Sequence, residues 1–224
     1  MGNIFNLNLI TLLLYFAAFI YGLIAVFRRK SPLYFKLLFL GVGCFLLEDL
    51  YYLVDYVCTG GISSSFSFAS FGAGGCYAFM FSANYGLFDG IVDDGSESAL
   101  KARKLGFVFP AILVIIVCYS GYIWIANGGA IYATILLIIS KLPAFPASYY
   151  HLKHLIIKDE LNYILTFLRP CNIMALCVIL ADFMYEGLNL CGYLTAAFIV
   201  KLFIPISLFG MMMAANWGCK KWMI

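Results

Sequence analysis

Charge is scarce in this chain. Of its 224 residues only 11% are Asp, Glu, Lys or Arg, while 64% are hydrophobic. A soluble domain carries about 25% charged and about 45–50% apolar residues. The chain therefore has too little polar surface to face water throughout, and lipid must be the solvent for most of it. Catalytic signatures are missing too: there is no GxSxG, HExxH, Walker A or GxGxxG motif, which argues against a self-contained nucleotide-dependent or signalling enzyme. The eight cysteines include no CxxC pair, and the two histidines, His151 and His154, share one connection with Lys153. That is too few ligands at too poor a spacing for a zinc site, and the pair reads as an interfacial basic turn. No nucleic-acid partner is expected.

What the chain has in abundance is long apolar runs. A membrane span needs about 20 mostly apolar residues, and seven runs qualify: 4–27, 33–57, 66–90, 105–126, 129–150, 163–187 and 193–216. Residues 4–27 are too long for the core of a secretory leader, and Arg28, Arg29 and Lys30 follow rather than precede them, so this run reads as a span. The Met-Gly start is not read as a myristoylation site, because position 6 is Asn. Turn signals separate the runs, among them Ser31-Pro32, Gly60-Gly61 and Asn127-Gly128-Gly129.

Basic residues fix the expected orientation. Arg28, Arg29, Lys30 and Lys36, then Lys101, Arg103 and Lys104, then Lys153 and Lys158, then Lys220 and Lys221 flank alternate connections. The loops at 58–65, 127–129 and 187–192 have no Lys or Arg. The positive-inside rule then puts the N-terminus outside and the C-terminus in the cytoplasm. The expected fold is a single all-α domain over residues 1–224, a seven-transmembrane helix bundle in the plasma or inner membrane.

The second and sixth runs align at an offset of 133 with five identities, Cys44/Cys177, Leu47/Leu180, Asp49/Asp182, Tyr52/Tyr185 and Cys58/Cys191. This suggests a 3+1+3 parallel repeat, an arrangement that transporters use with the binding site between the halves. In span count, length and orientation the layout resembles the small sugar-transporter and PQ-loop architecture. There is no Pro-Gln pair in the first span, so no family residues carry over. Pro143 and Pro146 should kink the fifth span. The small-residue run Gly72-Ala73-Gly74-Gly75 marks the third span as the crowded centre of the bundle.

Ionisable residues within spans cost about 2.5–3.5 kcal/mol each at a helix centre and tend to mark function. Glu48, Asp49, Asp55, Lys141, Arg169, Asp182, Glu186 and Lys201 all fall inside the runs. At about 1.5 Å per residue, Glu48, Asp49, Lys141, Asp182 and Lys201 gather near mid-depth or a little outside it, with Glu186 nearer the outer surface. Tyr52 and Tyr185 are deep enough to bond the carboxylates. The expected ligand-binding set is thus Glu48, Asp49, Tyr52, Lys141, Asp182, Tyr185, Glu186 and Lys201, forming an outward-facing pocket among spans two, six and seven. Lys201 should pair with Glu48 or Asp49, leaving Asp182 to take a cation or proton. Arg169, beside Pro170, should snorkel to the cytoplasmic headgroups. Cys58 and Cys191, both at outer helix ends, could form a disulfide in an oxidising compartment.

The function expected is transport of a small polar or cationic solute, with the lipid bilayer as surroundings and no cofactor specified. Two other readings stand beside it. A lysoplasmalogenase-like lipid hydrolase would use Glu48, Asp49 and Asp182 as acid–base groups. A seven-helix sensor would need a protein partner to relay its signal. Lys201, within Phe198-Ile199-Val200-Lys201-Leu202-Phe203, resembles the retinal-binding lysine of microbial rhodopsins, but the third span offers no mid-depth carboxylate as its counter-ion.

Overall fold

The computed structural model describes residues 2–28, 31–60, 67–90, 93–157 and 164–222. Arg29, Lys30, Lys158 and the connection at 61–66 lie outside them. Among the described residues every element is helical and no strand occurs. The helices are α1 (Gly2–Arg28), α2 (Leu33–Thr59), α3 (Phe71–Asn84), α4 (Glu97–Gly106), α5 (Val108–Ala126), α6 (Ile131–Lys141), α7 (Ala144–Ile156), α8 (Ile164–Leu190) and α9 (Leu194–Trp222). A 3-10 turn, Phe68–Ser70, leads into α3, and a π-helical turn, Tyr85–Asp89, follows it.

Apolar surroundings favour this outcome, because a helix satisfies its backbone groups within one segment. Five stretches are long and apolar enough to cross a membrane: Asn8–Phe27, Leu33–Thr59, Glu97–Ala126, Thr166–Leu190 and Leu194–Lys221. The pair α6 and α7, bent by 41° at its break, adds a sixth if counted as one broken span. The chain is therefore a helical protein of the multi-pass membrane type. Large side chains such as Leu13, Phe16, Leu47, Val57, Ile115, Phe203 and Ile206 point outward, as a lipid-facing shell requires.

The bend falls at Leu142-Pro143, the first of the two prolines expected to kink this span. Two boundaries differ from the hydropathy runs. The fourth run starts earlier, because Ser96 caps α4 by accepting from the Ala99 amide at 3.2 Å. The fifth continues to Ile156, past its charged end, because the side chains there are buried rather than solvated. Gly60 ends α2 in the left-handed conformation, φ 69°, with its amide bonded to the Tyr56 carbonyl at 3.0 Å.

Helices α8 and α9 pack along their lengths, as do α2 and α3, and α1 lies against both α2 and α9. Helix α7 sits among α3, α4, α5 and α8. One core runs through the bundle, including Tyr34, Phe35, Leu38, Met80, Leu113, Ile179 and Leu208. The glycines of α3 permit the closest approaches. A Cβ on Gly72 would stand 2.6 Å from Glu48 Cβ and 2.7 Å from the Cys44 carbonyl, and one on Gly74 would overlap the Ser140 carbonyl. The small-residue face thus seats α3 directly on α2 and α6.

Candidate functional site

Two lysines organise the charged interior. Lys141 ends α6 at the bend, with its Nζ 2.5 Å from Asp182 Oδ2 and 3.5 Å from Glu186 Oε1. These acids lie four residues apart on α8 and so share one helix face. Tyr77, from α3, donates its hydroxyl to Asp182 Oδ2 at 2.5 Å, and the Phe183 ring lies 5.7 Å from the ammonium. Asp182 therefore carries an ammonium and a phenol rather than standing open.

The second nest joins α1, α2 and α9. Lys201 Nζ is 3.1 Å from Asp49 Oδ1 and donates to Asn8 Oδ1 at 2.8 Å. Thr11 donates to Asp49 Oδ2 at 2.7 Å. The Tyr185 ring centre lies 5.7 Å from Lys201 Nζ. Tyr185 sits on α8 beside Glu186, so its ring connects the two nests. Tyr52 bonds Ser70 at 3.1 Å rather than a carboxylate.

Glu48 completes the cluster without joining either nest. It is 8% exposed, its Oε2 has no hydrogen-bond partner, and Asp182, Lys141, Glu186 and Asp49 are all within electrostatic reach. Four carboxylates thus face two ammonium groups. In a medium that solvates charge poorly, the surplus needs a counter-charge from outside, either protons or a cation.

A cavity opens beside the Lys141 nest, between α5, α6 and α8 rather than among the second, sixth and seventh hydropathy runs. Its walls are single helix stripes: Thr134, Ile138 and Lys141 on α6 face Glu186 and Leu190 on α8, with Ser120 on α5 between them. The cavity is small, with about 30 Å³ of room for water-sized groups, and it opens at its mouth. The cavity exists because α6 leans on α3 and barely touches α5. Of the eight residues expected to bind ligand, only Lys141 and Glu186 line it. Asp182, Glu48, Asp49, Tyr52, Tyr185 and Lys201 lie in the network around it.

A separate polar cluster occupies the opposite end of α7. His151 and His154 are fully buried, not part of an exposed basic turn. His151 Nδ1–H donates to Asn172 Oδ1 (2.9 Å) and Asn84 Nδ2 donates to His151 Nε2 (3.0 Å) in one consistent assignment of the His151 tautomer. His154 meets an oxygen acceptor at each ring nitrogen, Asn84 Oδ1 at Nδ1 (2.9 Å) and Asp89 Oδ1 at Nε2 (3.2 Å), and the ring donates to both only as an imidazolium. Lys153 bridges Asp89 (2.5 Å) and Asp93 (2.6 Å), and Arg103 grips Asp93 with two bonds of 2.7 and 2.8 Å. Those bonds, Arg103 foremost, hold the Asp93 carboxyl well below its usual range. The cluster clamps the end of α3 to α7 and α4. No group of three or more metal-ligating side chains occurs among the described residues.

Sequence reasoning missed Asn8, Thr11, Tyr77, Ser120 and Thr134. Their signal was available: Asn8 and Thr11, and likewise Thr134 and Lys141, recur at helical spacing as polar residues within apolar runs. All eight cysteines are free thiols, Cys58 and Cys191 included.

No protein-family model, no curated protein and no solved structure matches the chain.

Proposed function

We propose that this chain is a seven-span transporter, N-terminus outside, which takes a small polar or cationic solute into its charged interior. The seven crossings are the five long apolar stretches, the bent pair α6–α7, and the continuous helical rod from Phe68 to Asp89. The alternation of basic and uncharged connections supports the orientation. The aligned pair Asp49 and Asp182, each bound to a lysine from another helix, supports two related halves.

The observation that carries transport is Glu48. It is a buried, unpartnered carboxylate in a cluster with more acids than bases, and such a group calls for a mobile counter-charge. Lys201 and Asp49 then hold α9 to α2, and Glu48 exchanges its counter-ion as the halves move.

The test is uptake into proteoliposomes of a panel of small ammonium solutes and inorganic cations, with and without an imposed pH gradient. At least one solute should accumulate above empty liposomes, and Glu48→Gln should abolish that flux while the variant still purifies as a monodisperse species. Absence of flux for the whole panel, or flux unaffected by Glu48→Gln, sinks the reading.

A further inference from the structure

Two carboxylates of the interior are left over once the close ion pairs are formed, and their surroundings differ. Asp49 takes Lys201 and Asp182 takes Lys141, which leaves Glu186 and Glu48. Glu186 keeps the Lys141 ammonium at 3.5 Å and lines the cavity that admits water-sized groups, so an ammonium and solvent share its charge. Glu48 makes no ion pair with a described residue and does not line that cavity. Its Oε2 is buried with no hydrogen-bond partner. Donors around it are engaged elsewhere: Tyr77 gives its hydroxyl to Asp182, Tyr52 is bonded to Ser70, and Lys201 is taken by Asp49 and Asn8. The phenols of Tyr15 and Tyr185 and the thiols of Cys44 and Cys76 stand within electrostatic reach and bring no positive charge.

Space decides what can supply the missing counter-charge. The backbone of α3 at Gly72 is seated against this side chain: a Cβ there would stand 2.6 Å from Glu48 Cβ and 3.2 Å from Glu48 Oε2. A metal ion needs several oxygens around it, about six at about 2.0–2.6 Å for a hard divalent cation. No group of three or more side chains placed to hold one occurs among the described residues. An organic ammonium needs an open approach, and the buried oxygen has none. A proton needs no room of its own, and it turns Oε2 into a donor. The Cys44 carbonyl oxygen, 2.7 Å from the same Cβ position, borders that spot as an acceptor. We infer that the counter-charge of Glu48 is a proton bound to its own carboxyl, so that Glu48 is a neutral acid at neutral pH and the ion exchanged there is a proton. Release breaks the O–H bond, leaves the electron pair on the carboxylate and passes the proton to water. This names the coupling ion of the transport reading and rests on that reading only for what the exchange drives. The site itself stands on the packing of α3 against α2 and on the unmatched charge.

Infrared spectroscopy of the full chain in nanodiscs, with lipid-only nanodiscs as blank, reads the charge state directly. An ordinary glutamate titrates near about 4.3, so at neutral pH it lacks the carbonyl stretch of a carboxylic acid. Wild-type protein should show that stretch at neutral pH. The band should move in heavy water and on isotopic labelling of glutamate carboxyls, and stay in place on labelling of aspartate. Glu48→Gln should remove it, and Glu186→Gln should leave it. The glutamate label and Glu186→Gln involve no change at Glu48, so together they decide the matter even if Glu48→Gln does not fold. Absence of the band, a band that follows the aspartate label, or a band lost in Glu186→Gln overturns the proposal. Loss of the band on adding sodium or magnesium chloride at constant pH, against choline chloride at equal ionic strength, would make the counter-charge a metal ion and overturn it likewise. The band without flux of any solute keeps this site and removes transport, whereas Glu48-dependent flux without the band does the reverse.

Discussion

Lys201 of α9 and Asp49 of α2 meet 3.1 Å apart, and α1 holds each of them from its far side, Asn8 on the lysine and Thr11 on the aspartate. Three helices distant in sequence thus converge on one ion pair. Removing one partner of a buried pair leaves the other uncompensated, at a cost of about 3–5 kcal/mol, whereas removing both is far milder. Asp49→Asn and Lys201→Met should each lower the melting temperature in detergent, and the double variant should recover most of the loss. Additive losses in the double variant would show that the two side chains act independently.

The seating of α3 gives a second expectation. A Cβ on Gly74 has no room against the Ser140 carbonyl, and backbone cannot step aside as a flexible side chain does. Gly74→Val should therefore push α3 from α6 and reduce the yield of folded protein sharply. At Gly86, where nothing lies within 4 Å of a Cβ, substitution by Ala should leave yield unchanged. Equal yields for the two variants would mean that the α3–α6 contact is not required for folding.

Much of this arrangement is legible in the sequence because lipid imposes one rule on every span: apolar outside, backbone bonded within. The long runs, the kink at Pro143 and the crowding at Gly72-Ala73-Gly74-Gly75 all follow from it. Pairing does not follow, because hydropathy gives depth along a helix and not the direction of its face. Lys141 and Lys201 lie at depths where either could serve Asp49 or Asp182, and only packing assigns Lys201 to Asp49 and Lys141 to Asp182. The burial of His151 and His154 was hidden for the same reason. Their partners Asn84 and Asn172 come from α3 and α8, and a short polar segment looks alike whether it faces water or other helices.

Asp93 supplies a dependence on pH outside the spans. Arg103 and Lys153 stabilise its charged form and depress its folded pKa. The unfolded chain titrates near about 3.9. A depressed carboxylate contributes stability that is fully present above the unfolded value and is lost as pH falls through the folded one. Wild-type protein should lose melting temperature as pH drops below about 4, and Asp93→Asn should be less stable at pH 7 but lose less over that acid range. Arg103 is 46% exposed along its side chain, so solvent screens its share, and Arg103→Gln should have the smaller effect of the two. Identical acid profiles for wild type and Asp93→Asn would remove this pair from the stability of the α4–α7 clamp.

The count of crossings turns on the rod from Phe68 to Asp89, and thiol labelling reads it directly. Cys58 is exposed at the end of α2, and Lys101 is exposed on α4 and makes no ion pair with a described residue. If the rod spans the bilayer, these two positions lie on opposite sides. If it does not, they lie on the same side. In intact cells, a chain whose sole cysteine is Cys58 should react with a membrane-impermeant maleimide. A chain whose sole cysteine is introduced by Lys101→Cys should react only after permeabilisation. A chain retaining only Cys118, exposed on the flank of α5 among lipid-facing residues, should react in neither case until detergent removes the lipid. Labelling of Cys58 and of the Lys101→Cys thiol from the same side would reduce the count to six and reverse the placement of every connection after α3. The basic connections would then no longer share one face, and the orientation would lose the charge asymmetry on which it stands.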